Sequence, residues 1–305
     1  MMQGEGSVGV GGVGQAGAKA VVFRRVLTRK GHDPLDLVKW GWRKVELTEK
    51  GQLVFSADVE APLDWDDLAV TIVAAKYMRK RGATKLPGGA ETSVRQVLVR
   101  IAYALAEQAL VQGVFGPPSA GPVADDPRAE MHDIFRDELL AAMLLQMCAF
   151  NSPVWFNVGL DRYGVTAKTT NFRWDEASGR AVPAEDAYAC PQGSACFIQS
   201  IPDSLEGIFG LVQNESRVFR HGSGTGTNFS PLRGRQEKLS GGGNSSGLMS
   251  FLDVFDRAAG ATKSGGTTRR AAKMVVLDMD HPEIVDFIEW KAREERKMSC
   301  LVGGG

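Results

Sequence analysis

Between Ala195 and Glu289 the chain alternates loops rich in glycine, serine and threonine with amphipathic stretches, and this alternation constrains the fold most strongly. A strand-like run, Ser194-Ala195-Cys196-Phe197-Ile198-Gln199-Ser200, comes first. Three small-residue loops follow, at Gly222–Asn228, Ser240–Gly247 and Ser264–Arg270, and Lys273–Asp278 reads as a further strand. Apolar runs that alternate with helical periodicity point to an α/β fold. Glycine lets backbone N–H groups approach phosphate oxygens closely, and loops that feed helix ends favour an anionic ligand. The pattern therefore predicts a site for a polar, phosphorylated molecule.

Composition narrows the alternatives. Lys plus Arg (36) balance Asp plus Glu (36) in 305 residues, so a partner held by long-range charge, such as nucleic acid, is disfavoured. The longest apolar run, Leu139–Phe150, is interrupted by Gln146 and too short to cross a bilayer, so no membrane partner is expected. The Gly-rich residues 1–20 lack a secretory pattern and read as a disordered tail. Four cysteines (Cys148, Cys190, Cys196 and Cys300) do not make a disulfide scaffold. The expectation is a cytoplasmic α/β protein.

The first half reads as mostly helical over 21–150. Val21-Val22-Phe23, Lys44–Leu47 and Leu53–Phe55 have strand patterning, with a turn at Lys50-Gly51-Gln52 and Trp40 and Trp42 as packing residues. Helices are predicted after Asp64–Asp67 (face Leu68, Ile72, Val73, Tyr77), after Glu91-Thr92-Ser93 (Val97, Ile101, Leu105, Leu110) and from Pro127 (Met131 to Met147, with Cys148 buried). Gly116–Asp126 reads as a joint, Asn151–Asn157 as a helix break and 161–194 as one long loop. Asp203-Ser204 caps a helix over Leu205–Phe219 with Leu205, Ile208, Phe209 and Val212 on its face. Asn244–Ser246 caps another, carrying Leu248, Phe251, Leu252 and Phe255. Pro282-Glu283 opens a last one, with Ile284, Phe287, Ile288 and Lys291 in register.

Single motifs discriminate poorly. Gly222-Ser223-Gly224-Thr225-Gly226 lacks the third glycine of a dinucleotide fingerprint, and no Gly-Lys-Ser/Thr closes a phosphate loop. Cys190 and Cys196 are not a CxxC pair, and His221 and His281 lack ligand-spaced partners, so no metal site is expected and the histidines read as hydrogen-bonding residues. Arg269-Arg270 could be a solvated pair or a phosphate clamp. Cys196 taken alone reads more readily as a buried structural cysteine.

The order of the segments is more specific. Asn151–Gly159, Ala195–Phe209, Gly222–Ser230, Ser240–Ala261 and Lys263–Trp290 together resemble the catalytic chain of adenosylcobalamin-dependent, class II ribonucleotide reductases. The resemblance implies an N-terminal helical region followed, over 151–305, by the first part of a ten-stranded α/β barrel. It implies reduction of ribonucleoside diphosphates, with adenosylcobalamin as coenzyme, thioredoxin or glutaredoxin as reductant, a dNTP or ATP as allosteric effector, and a homodimer. Cys196 matches the first redox cysteine: a protonated thiol can donate to a departing 2′-hydroxyl and then supply electrons by pairing with a second cysteine. Ser152, Ala195, Gly224, Thr225 and Gly226 match substrate-binding positions. Asp203, Ser204, Leu205, Arg233 and Lys238 match the effector site and first specificity loop. Thr268, Arg269 and Arg270 fall in the second specificity loop. The helices after Asp203 and Ser246 match the dimer interface.

The resemblance also has departures. The family's radical-bearing cysteine in an Asn-x-Cys-x-Glu motif, its second redox cysteine and its C-terminal cysteine pair are absent from the 305 residues, and Cys190 has no counterpart. The expectation is an N-terminal fragment, inactive alone. The alternatives are a nucleotide-binding or dimerising module without catalysis, and a class I large-subunit fragment.

Overall fold

A computed structural model describes residues 20–49, 51–117, 127–175, 178–238, 241–262 and 272–302. All but the last residue of the tail proposed over 1–20, all but Gly116 and Pro117 of the Gly116–Asp126 joint, and Thr268, Arg269 and Arg270 lie outside the described residues.

The chain enters a long antiparallel hairpin, β1 (Trp40–Glu49) and β2 (Gln52–Pro62), turning at Gly51 with φ 77°. The strand expected at Val21–Phe23 does not form; Phe23 instead packs its ring against Phe115 and Phe135. Trp40 packs at the core edge, whereas Trp42, its neighbour on the strand but one, stands 65% exposed rather than packed.

Helix α1 (Asp67–Ile72) starts at an Asp66 cap, whose carboxylate accepts from Ala69 N, and runs into a wide turn over Val73–Tyr77. The buried face is Val70, Val73 and Ala74 with Tyr77 packed beside it, so the expectation holds for Val73 and Tyr77 but not for Leu68 and Ile72, which point outward. Helix α2 (Val94–Val111) has a Ser93–Gln96 capping box, satisfying two of the free N–H groups that open any helix. Its face Val94, Val97, Leu98, Ile101 and Ala102 forms the first core with β2 and α3 (Pro127–Leu144). Gln146 adopts φ 56° and ends the α3 region, so Met147 and Cys148 fall beyond the helix and are exposed, contrary to the expected stripe and buried thiol.

Two expected non-helical segments contain structure. Asn151 accepts from Val154 N and starts a short helix, α4 (Ser152–Asn157), rather than only breaking one. The stretch 161–194 includes a hairpin, β3 (Phe172–Asp175) and β4 (Arg180–Pro183).

The second half is a parallel sheet in the order β5 (Cys196–Gln199), β6 (Gly224–Asn228), β7 (Lys273–Val276). Helix α5 (Leu205–Arg220) links β5 to β6, and α6 (Leu248–Ala261) lies between β6 and β7. Helix α7 (Ile284–Val302) follows. Gly222–Asn228 was expected to be a loop; from Gly224 it is the central strand, because β5 and β7 supply backbone partners on both edges. One sheet face packs on α5, α6 and α7 through Phe229, Leu248, Leu252, Phe255, Phe287 and Trp290. Among the described residues the sheet does not close into a barrel.

The helix faces are partly rotated from expectation. On α5, Ile208, Leu211, Glu215 and Phe219 are buried, while Leu205 and Phe209 are exposed; an acidic residue holds a core position that hydropathy alone assigns outward. On α7, Phe287 and Trp290 pack inward and Ile288 is exposed.

Candidate functional site

Cys196 opens β5 opposite Gly224, and its side chain is exposed. The same sheet face carries Ile198, Met274 and Val276, all exposed. Gly226 lies between Ile198 and Met274, where an added Cβ would come within 2.9 Å of both side chains. A thiol on this face can reach a molecule lying across the sheet, while the opposite face is filled by helices. The N–H groups of Gly224 and Thr225 donate within the fold, to Ala195 O (2.7 Å) and Ala272 O (3.0 Å). What these glycines offer on that face is absence of bulk rather than free donors.

The sheet is braced from behind by a buried ion pair. Lys273 Nζ lies 2.6 Å from Glu215 Oε1, which also accepts from the Thr225 hydroxyl at 3.0 Å. The ammonium stands over the rings of Phe255 (3.8 Å) and Phe229 (4.8 Å). Burial pulls the Lys273 pKa below its ordinary value and outweighs the opposing pull of Glu215.

Loop 192–194 and the 221–223 turn are stitched together beside Cys196. Asn157 Nδ2 donates to Gln192 O and His221 O, Gln192 Nε2 donates to Ser223 Oγ, and Ser223 Oγ donates to Ser194 O. Burial and the nearby Arg220 lower the His221 pKa. Ser152, at the other end of α4 from Asn157, has its hydroxyl 3.2 Å from Tyr77 OH. Ser152, Asn157 and the loop leading into Cys196 thus belong to one linked assembly.

A second cluster gathers where β5 hands over to α5. Ser204 accepts from Gly207 N as the α5 cap, Leu205 is exposed, and Arg233 Nε donates to Asp203 Oδ2 at 2.6 Å. Lys238 pairs with Asn244 as an isolated bridge further round the loop. His281 is buried and hydrogen-bonded, as expected: its Nε2 donates to Leu232 O (2.8 Å) and its Nδ1 accepts from Glu283 N (3.1 Å), fixing the backbone just before Arg233. The Glu283 carboxylate accepts from Leu248 N (2.7 Å) and Arg235 N (3.1 Å). It caps α6 in place of the expected Asn244–Ser246, since Gly247 provides no side-chain cap.

Sequence reading missed the polar contacts of Tyr77, Arg100, Glu91, Glu215, Lys273 and Glu283. Arg100 is fully buried, with Nε 2.7 Å from Glu91 Oε1 and the terminal nitrogens donating to Val158 O and Trp155 O, both at 2.7 Å. A charged residue inside the apolar periodicity of α2 was the available signal. Among the described residues no group of acidic, histidine or cysteine side chains could hold a metal, and no helix is long and apolar enough to cross a membrane.

Two family descriptions match the chain: "Class II vitamin B12-dependent ribonucleotide reductase" over residues 43–146, and "Ribonucleotide reductase, barrel domain" over 194–301. Together they take in more than half of it. The chain belongs to the class II, vitamin B12-dependent ribonucleotide reductases. The second match contains the whole β5-β6-β7 sheet and Cys196, so this sheet is part of the reductase barrel. The vitamin B12-dependent ribonucleotide reductase of Rhodopirellula baltica is 41% identical over 278 residues, covering 90% of this chain and 26% of the relative. That of Bradyrhizobium diazoefficiens is 45% identical over 279 residues, covering 83% and 22% respectively. The chain thus spans about a quarter of the length of these relatives and corresponds to an N-terminal portion of the reductase. The solved Actinobacillus ureae class Id ribonucleotide reductase alpha subunit aligns with TM-score 0.39 and 18% identity, over 63% of this chain and 26% of that one.

The described residues do not fit a corrin. A cavity of about 450 Å³ beside α2 and α3 mixes charged Arg25, Lys30 and Asp137 with apolar Leu35, Val99 and Leu140, so it offers no continuous apolar wall of the kind a macrocycle needs. The open sheet face has no cradle either, since Ile198 and Met274 already occupy the space at Gly226.

Proposed function

We propose that this chain is the nucleotide-binding portion of a ribonucleoside-diphosphate reductase that supplies deoxyribonucleotides for DNA replication, with adenosylcobalamin as its coenzyme and further polypeptide completing the barrel. The observation that carries the proposal is Cys196, exposed at the start of β5 within the segment that matches the barrel domain.

Cys196 is one thiol of a redox pair whose partner lies on that further polypeptide. The C2′–O bond of the ribose and two S–H bonds break; a C2′–H bond, an O–H bond of the released water and an S–S bond form. Thioredoxin or glutaredoxin then returns the disulfide to two thiols. Ser152, Ala195, Gly224 and Gly226 flank the diphosphate and ribose; Thr225, whose hydroxyl is turned to Glu215 behind the sheet, contributes backbone alone. A dNTP or ATP effector binds at Asp203, Ser204, Leu205, Arg233 and Lys238, joined by Thr268, Arg269 and Arg270. The exposed Leu205 and Phe209 on α5 and Val254 on α6 support a homodimer built on those helices. Alone, the chain lacks the second thiol and is expected to be inactive.

The deciding experiment replaces Cys196 by serine in the completed reductase and measures deoxynucleoside diphosphate with a dithiol as reductant. Product should fall to background. Turnover at the unsubstituted rate would overturn the assignment.

A further inference from the structure

We propose that Tyr77 is a positioning residue for substrate, holding the Ser152 hydroxyl in the orientation that meets the nucleotide. The inference rests on the reading of Ser152 as a substrate-binding residue. Helix α4 has six residues, too few to be stable through its own hydrogen bonds, so its placement is imposed from outside. The N-terminal region imposes it at both ends.

At the start of α4, Tyr77 OH lies 3.2 Å from Ser152 Oγ, and the Tyr77 ring packs on Phe156 (5.1 Å) and Trp155 (5.5 Å). At the far end the Arg100 guanidinium donates to the Trp155 and Val158 carbonyls. Those acceptors fall at a helix terminus, where no following turn satisfies them. Arg100 Nη2 also approaches the Tyr77 carbonyl at 3.5 Å, so the two anchors are joined.

Tyr77 is presented by an unusual piece of backbone. The turn Val73–Tyr77 closes through Met78 N donating to Val73 O, five residues back, at 3.0 Å. A single wide turn of this kind at the end of a helix re-aims the residues on it. A serine hydroxyl rotates freely unless a partner selects one orientation. Tyr77 supplies that partner from the segment matched by the class II description, while α4 leads through Asn157 to the loops beside Cys196. The geometry gives the N-terminal region a direct hold on the substrate side of the barrel.

The test is a double-mutant cycle in the completed reductase, with Tyr77→Phe, Ser152→Ala and both together. KM and kcat for a ribonucleoside diphosphate are measured beside Tm. Phenylalanine keeps the ring packing, so Tm should hold. Losing one hydrogen bond's orientation should raise KM about three- to tenfold with kcat little changed. In the Ser152→Ala background, Tyr77→Phe should add nothing, because no hydroxyl remains to orient. Additive effects, or a KM that rises for Ser152→Ala but not for Tyr77→Phe, would overturn the proposal while leaving Ser152 in place. A KM untouched by Ser152→Ala would remove the reading beneath it. A lowered Tm with unchanged KM in Tyr77→Phe would make the contact purely structural.

Discussion

Asp203 and Arg233, thirty positions apart, meet in an ion pair of 2.6 Å at the junction of β5 and α5. Both side chains are about one-third exposed, so the pair adds little to stability. Its consequence is positional: it holds the 233–238 loop against the start of α5.

For that reason Asp203→Asn should separate ligand binding from folding. Thermal midpoint should stay close to the parent value. Affinity for a deoxynucleoside triphosphate should fall by about tenfold or more, the scale of a hydrogen bond to a charged group. Calorimetric titration of the completed reductase reads this directly. Unchanged affinity would remove Asp203 from the proposed effector site.

Glu215 and Lys273 are a different kind of pair, 2% and 9% exposed and enclosed by Phe229 and Phe255. Lys273→Met or Glu215→Gln leaves one partner buried without its counterpart, and each should lower unfolding free energy by about 3–5 kcal/mol. The double substitution should recover much of that loss. Urea titration of the four proteins supplies the comparison, and strictly additive losses would show that the two charges do not depend on each other.

Glu138 predicts an acid limb in the stability profile. Burial alone would raise its pKa, but hydrogen bonds from the Thr28 hydroxyl and from the N–H groups of Leu27, Thr28 and Val26 hold it below the ordinary carboxylate value. The unfolded chain therefore binds the proton more tightly than the folded one. The stabilisation is complete above the unfolded carboxyl's pKa and drains away as pH falls through the lowered folded value. Glu138→Gln should flatten the part of the curve that lies below the ordinary carboxylate range when urea midpoints are compared. An unchanged acid slope would contradict it.

Several local features were legible without a structure. The turn at Gly51, the caps at Ser93 and Ser204, and the strands at Cys196 and Lys273 each depend on a few adjacent residues, so their signals sit within one window. The strand at Cys196 could be read from the run around it, whereas the ion pair of Asp203 with Arg233 appears only in the fold. Sequence periodicity also marked the α6 face Leu248, Leu252 and Phe255 correctly.

Other features depended on residues far apart in the chain. Gly224–Asn228 has weak strand propensity, yet it is the central strand because neighbours on both edges satisfy its backbone. The cap of α6 comes from Glu283, thirty-five positions beyond Leu248. Glu215 faces inward only because Lys273 is there to meet it, and Arg100 is buried because Glu91 and the α4 carbonyls surround it. Local order was set by sequence, since caps, turns and periodicity act over a few residues. Tertiary structure decided which polar groups go inside, because a buried charge is tolerated only where folding brings its partners to it.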